Sequence, residues 1–229
     1  MFLINMYGGA TILKAADYYK ANVLAPEDVH TNATVAAVEA AAVAASPITV
    51  GMPPWPTNET AHTARWLAHQ SNYGFISTTS AQYDGGVAFG NVVSVVDGTT
   101  DNSTGHLYFY VTDLDATMVD VAKNPACSFT MSEEWIGAGG NNCSSHGLDP
   151  EDPTCTRLVL SGKLVQVNTT TEEYTFAKGA LFARHPIMKS WPSGHGWKIM
   201  TLAVEHIWMI NFYGGAHDID PKEYYAYKL

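Results

Sequence analysis

The chain has 229 residues, 46% of them hydrophobic, and 12 basic against 22 acidic side chains give it a formal charge of -10. At the usual ~100–200 residues per domain, that length holds one domain with a sizeable core plus extensions. No run of Lys or Arg is long enough to track a phosphate backbone, so nucleic acid and anionic membrane surfaces are poor candidates for direct partners.

An internal repeat opens the chain. Ile4-Asn5-Met6-Tyr7-Gly8-Gly9-Ala10, followed by Tyr18-Tyr19, returns 206 positions later as Ile210-Asn211-Phe212-Tyr213-Gly214-Gly215-Ala216, followed by Tyr224-Tyr225. Eight of twenty aligned positions are identical, without a gap. The period is that of a whole domain, far longer than a solenoid unit of ~20–50 residues. Residues 1–23 therefore read as a tail resembling the C-terminal end of a preceding repeat. Met1 to Met6 lacks the basic flank and the apolar run of roughly 7–15 residues of a signal peptide, so a signal is expected upstream of an earlier unit. Residues 24–60 read as a linker: an Ala-rich helix over Ala33–Ala45, then Pro47, Pro53, Pro54 and Pro56 around Trp55. The most apolar stretch, Thr34 to Ala45, carries Glu39 and falls short of the ~20 residues that cross a bilayer.

The domain proper occupies residues 61–229. Its first segment, Ala61 to Gln70, suits a helix, with Ala64, Leu67 and Ala68 at helical spacing. Strand-like runs follow at Gly74–Thr79, Val87–Val96, His106–Val111, Cys127–Met131, Leu158–Val167 and Thr201–Phe212, each rich in β-branched and aromatic residues. Helices are predicted at Leu114–Ala122 and Glu172–Arg184, closed by Asn124-Pro125 and His185-Pro186. Many strands with a few outer helices predict a small barrel, because closure hides strand edges.

Five sequons, at Asn32, Asn58, Asn102, Asn142 and Asn168, point to the secretory pathway. The cysteines agree. Cys143 and Cys155 flank a turn-rich loop, Ser144 to Thr154, whose ends can meet in a disulfide. Two free thiols are the alternative, and zinc is a poorer one, because no Cys-x-x-Cys or close His pair completes a site. Cys127, in an apolar stretch, reads as an inert core thiol.

Several multi-residue segments resemble one family. Leu181-Phe182-Ala183-Arg184-His185-Pro186-Ile187-Met188-Lys189-Ser190-Trp191-Pro192, with Ser193, His195 and Trp197, is similar to the signature of the CREG glycoproteins, members of the pyridoxamine-phosphate-oxidase-like FMN-binding split-barrel superfamily. Ala64-Arg65-Trp66 with His69, Asn142-Cys143 with His146-Gly147-Leu148-Asp149-Pro150 and Cys155, Leu160-Ser161-Gly162, Ile207-Trp208, Tyr213-Gly214-Gly215 and Glu223-Tyr224-Tyr225 follow the family order. The resemblance covers about Ala61 to Tyr225. It implies a mainly β fold, a six-stranded split β-barrel with flanking helices. It also implies a homodimer with grooves where a flavin mononucleotide sits in the oxidases, N-glycosylation, and secretion or residence in a lysosome-like lumen. It implies no established reaction, and the family is regarded as having lost its flavin.

The residues themselves weigh against flavin. A flavin phosphate needs cations or convergent amides. In the segments matching the oxidases' phosphate site, Ser94 and Thr112 are the hydrogen-bond donors, and therefore the cofactor-binding candidates. Asp113, Asp115 and Asp120 would repel a dianion there, with Lys123 the one cation close in sequence. His185 and His195 lie ten residues apart without a His-x-x-x-His pattern, which favours structural roles over metal ligation. Arg184, at a helix end, suits carbonyl capping or a carboxylate partner, and Trp191 and Trp197 suit packing over the barrel end. No nucleophile–base spacing marks a hydrolase, and Gly214-Gly215 is too weak for a phosphate loop. Two functions follow: a secreted or lumenal non-catalytic binding or structural module without flavin, partnering itself, neighbouring repeats or another protein, or an FMN-dependent oxidoreductase using Ser94 and Thr112.

Overall fold

The computed structural model describes residues 2–4, 10–12, 59–84, 86–136 and 142–229. Two short strands, β1 (Phe2–Ile4) and β2 (Ala10–Ile12), pair with each other antiparallel. The predicted linker helix and Pro-rich connector lie outside the described residues, as do Asn32 and Asn58.

From Glu59 onward the elements follow the strand-rich pattern of the sequence. Helix α1 (Thr60–Gln70) precedes β3 (Tyr73–Thr79), β4 (Ala88–Ser94), β5 (Val96–Thr99) and β6 (Asn102–Val111). Helix α2 (Ala116–Val121), β7 (Ala126–Ser132), β8 (Arg157–Gln166) and α3 (Glu172–Arg184) come next, and β9 (Lys198–Ile210), β10 (His217–Ile219) and α4 (Pro221–Ala226) close the chain. Helix α3 has its predicted bounds, for a local reason: the Thr171 hydroxyl caps the Tyr174 amide, and Pro186 follows the last turn.

The sheet runs β4-β3-β7-β8-β9-β6-β5, antiparallel throughout, with β10 added to β9. β9 is shared. β8 lines one side along its length, while β6 pairs with Lys198–Thr201 and β10 with Ile207–Met209 on the other. Topology forces closure: β4 and β5 sit at opposite edges, yet only Val95 separates them. The sheet therefore curls until its edges meet, which makes it a split barrel. The segment Val87–Val96, expected as one strand, is two for this reason. At Val95 the chain leaves the β3 ladder, its amide donating to the Asn72 carbonyl, and Val96 joins β6 opposite Tyr108. The sheet's eight strands exceed the expected six through the short β5 and β10.

The main core fills the barrel with Ile76, Leu107, Phe109, Phe129, Met131, Leu158, Leu160, Leu202 and Met209, and α1 lays Ala64, Trp66, Leu67 and Ala68 into it. A second core sits under α3, where Ala177, Ala180 and Leu181 meet Val96, Tyr108, Val167 and Ile199. Cys143 and Cys155 form the predicted disulfide, with a Cα–Cα separation of 5.8 Å. Glu134 anchors the same loop by accepting from Asn142 Nδ2, the Ser144 amide and Ser144 Oγ. Opening the bridge with Cys143→Ser and Cys155→Ser together is expected to cost about 2–3 kcal/mol, checked as a lower denaturant midpoint.

Candidate functional site

Two polar features invite a functional reading, one inside the barrel and one at its rim. The inner one starts on α1, where Arg65 and His69 are one turn apart and both buried, at 0% and 2% exposure. Asp97 on β5 lies between them and the sheet. His69 Nδ1 is 2.6 Å from Asp97 Oδ1, and Ser103 Oγ donates to Asp97 Oδ2 at 2.5 Å. Arg184 Nη1 stands 3.9 Å from the same carboxylate. Arg65 Nη2 donates to the Ser103 hydroxyl and carbonyl at 2.8 and 2.9 Å, and Nη1 to the carbonyls of Tyr224 and Tyr227 at 3.2 and 2.6 Å. Gly105 makes room. It has φ +79, and a Cβ there would lie 2.8 Å from Arg65 Nε. Arg65, His69 and Asp97 are buried and Ser103 is half-buried, and the Asp97 oxygens face His69, Ser103 and Arg184. These contacts tie α1, β5, β6 and α3 together.

The rim feature gathers the signature. Tyr110, near the end of β6, stacks on Trp197 and Trp191 with centroids 5.0 and 5.9 Å apart, and meets Phe182 of α3 edge-on at 5.3 Å. Trp197 Nε1 donates to the Pro192 carbonyl at 2.8 Å. Thr112, just past β6, donates its hydroxyl to the His195 carbonyl. Next to it Lys198 Nζ sits 2.5 Å from Asp113 Oδ2.

The cofactor candidates Ser94 and Thr112 are held by different parts of the fold. Ser94 ends β4 opposite Tyr73, whereas the Thr112 hydroxyl is turned to the His195 carbonyl. Asp115 caps the Thr117 amide and accepts from Asn91, and Asp120 is buried, accepting from Thr78 Oγ1 and the Ala81 amide. Around this segment Lys198 is thus paired with Asp113, and the Thr112 hydroxyl is engaged by a carbonyl. His185 and His195 have separate surroundings, as their spacing suggests. His185 Nε2 meets the Val95 carbonyl at 3.2 Å, and the His195 ring stacks on Trp197. Arg184 caps the Ser71 carbonyl and Asn72 Oδ1. Burial pushes the Cys127 thiol up to about 11, consistent with an inert core position. Among the described residues the one cluster of potential metal ligands is Glu134 with Cys143 and Cys155, whose sulfurs are in the disulfide. Of the sequons, Asn102 and Asn168 are exposed and Asn142 half-buried.

The fold has known counterparts. A heme-binding protein from Mycobacterium smegmatis superposes with a TM-score of 0.56 at 17% identity, over 72% of this chain and 60% of that one. A protein of unknown function from Agrobacterium tumefaciens does so with a TM-score of 0.54 at 19% identity, over 76% and 64%. The class is thus the split β-barrel. Within that class the sequence is more specific: residues 55–226 match the family model described as CREG, beta-barrel. Human Protein CREG2 is 42% identical over 178 residues, 77% of this chain and 59% of that protein, and human Protein CREG1 is 38% identical over 176 residues, 76% and 77%. The chain belongs to the CREG family. It spans about three fifths of the length of CREG2.

Arg65→Met would remove four hydrogen bonds, to the Ser103 hydroxyl and carbonyl and to the Tyr224 and Tyr227 carbonyls, and is expected to cost on the order of 3 kcal/mol, measured by denaturant unfolding. Partial desolvation lowers the His106 ring, stacked on Tyr225, and the half-buried His185 below the ordinary histidine value, Arg184 adding to the effect at His185. The unfolded chain takes up protons at these sites below about pH 6.5 while the folded one resists. Stability from these histidines is therefore complete above that pH and lost as pH falls through it. His185→Gln, which keeps a donor for Val95, is expected to flatten the fall in melting temperature between neutral and mildly acidic buffer.

Proposed function

We propose that this protein is a secreted or lumenal glycoprotein acting as a non-catalytic binding module, without a bound flavin. The observation that carries this reading is the segment after β6. There Thr112 is committed to His195, Lys198 to Asp113 and Asp115 to its own donors, leaving an acidic rim that would repel a phosphate dianion. The sequons and the disulfide suit an oxidising, glycosylating compartment. No described helix is long and apolar enough to cross a membrane.

Binding would use the outer sheet face and self-association. One cross-strand row, Val92, Phe75, Thr130, Val159 and Trp208, runs over five strands, with Val92, Phe75 and Trp208 at 54%, 37% and 40% exposure. A row that is apolar at four of its five positions, broken only by Thr130, is the kind of surface a protein contact buries.

The test against an FMN-dependent oxidoreductase is optical. The purified glycoprotein is expected to be colourless between 300 and 500 nm and to stay so after excess flavin mononucleotide is added and washed away. A retained flavin band that Thr112→Val weakens would replace the binding module with the oxidoreductase.

A further inference from the structure

The N-terminal repeat is a repeat of structure as well as of letters. In the β1–β2 hairpin Phe2 pairs with Ile12, Leu3 with Thr11 and Ile4 with Ala10. Moved along by the repeat, the first two pairs become Trp208 with Asp218 and Met209 with His217, which are the pairs β9 makes with β10. Both hairpins share one register, and register decides which side chains share a face.

What the copies keep is what the C-terminal copy needs. Gly214 and Gly215 have φ of +114 and +116, which only glycine adopts freely, and they recur as Gly8 and Gly9. Asn211 and Tyr224, at 4% and 0% exposure, recur as Asn5 and Tyr18. Buried Met209 and Ile219 become Leu3 and Leu13, still apolar. Divergence falls on exposed positions: Asp218, Asp220 and Lys222 are replaced by Ile12, Lys14 and Ala16. Exposed Tyr213, kept as Tyr7, has its own duty, its hydroxyl lying 3.4 Å from Asp152 Oδ2.

This barrel already has its closing element. Tyr224 fills the space beside Arg65 and Gly105, its hydroxyl donating to the Gly105 carbonyl at 3.1 Å, and Ile219 is the buried residue of β10. We infer that the β1–β2 hairpin, with the sequence that follows it to Lys20, belongs as closing segment to a second barrel of the same fold, carried on the same polypeptide ahead of this one. Its partner is the body of that barrel, with a cavity for Tyr18 and a donor for the carbonyl that follows it.

In the full chain, Ile207–Tyr225 is replaced by a second copy of Met1–Tyr19. The inference expects a folded protein with one cooperative thermal transition, which Ala at the transplanted tyrosine equivalent to Tyr18 abolishes. A chimera that does not fold, or folds indifferently to that tyrosine, overturns it. In the unaltered chain Tyr18→Ala is expected to leave the barrel's transition in place while Tyr224→Ala lowers it. Equal losses would assign residues 1–20 to this barrel and overturn the inference. Peptide mapping of the protein from its natural source is expected to find barrel peptides ahead of Met1, and a natural N-terminus at Met1 would refute the tandem arrangement.

Discussion

A single guanidinium holds the two ends of this domain together. Arg65 leaves the first helix, crosses to Ser103 on β6 and reaches the carbonyls of Tyr224 and Tyr227 at the last helix. A buried cation is costly unless its hydrogen bonds are made and its charge is answered. Ser103 answers both needs, accepting from Arg65 while donating to Asp97. His69 and Arg184 then bring α1 and α3 to the same carboxylate. The surrounding apolar core supplies cohesion, and the network decides which elements meet.

Much of the barrel is legible in the sequence because its strands alternate and its helices are punctuated. β8 alternates buried residues with half-buried or exposed ones from Arg157 to Leu164, and α3 starts at a threonine cap and stops before proline. The elements that were missed are short or depend on distant partners. β10 is three residues whose strand character comes from β9, and α4 is six residues anchored by Tyr224 and capped by Asp220. The break at Val95 has no local punctuation, since Val92, Val93, Val95 and Val96 follow one another with only Ser94 among them. It arises because two sheet edges must meet there.

The site residues show the same division. The pairing of Cys143 with Cys155 follows from neighbours in sequence, whereas Arg184 and His185 find their partners Ser71, Asn72 and Val95 far along the chain. Asp97 was invisible as a network centre: it precedes Gly98 and reads as a turn residue, although it is fully buried. The signal was Arg65 and His69 one helical turn apart on an apolar helix face, two polar groups that burial obliges to find an anion. At the rim, Ser94 and Thr112 are donors by residue type alone. What they donate to depends on the Pro192–Trp197 loop, which folds back over β6 from far along the chain and takes the Thr112 hydroxyl for its own backbone.

The two ends of the barrel also emerge side by side. The Tyr227 hydroxyl donates to Glu59 at 3.2 Å, and the His62 and Tyr227 rings stack 5.0 Å apart. A domain whose entrance and exit coincide adds almost nothing to the span of the polypeptide that carries it. Such a domain can be set into a longer polypeptide, or removed from it, with little change to the path of the chain on either side.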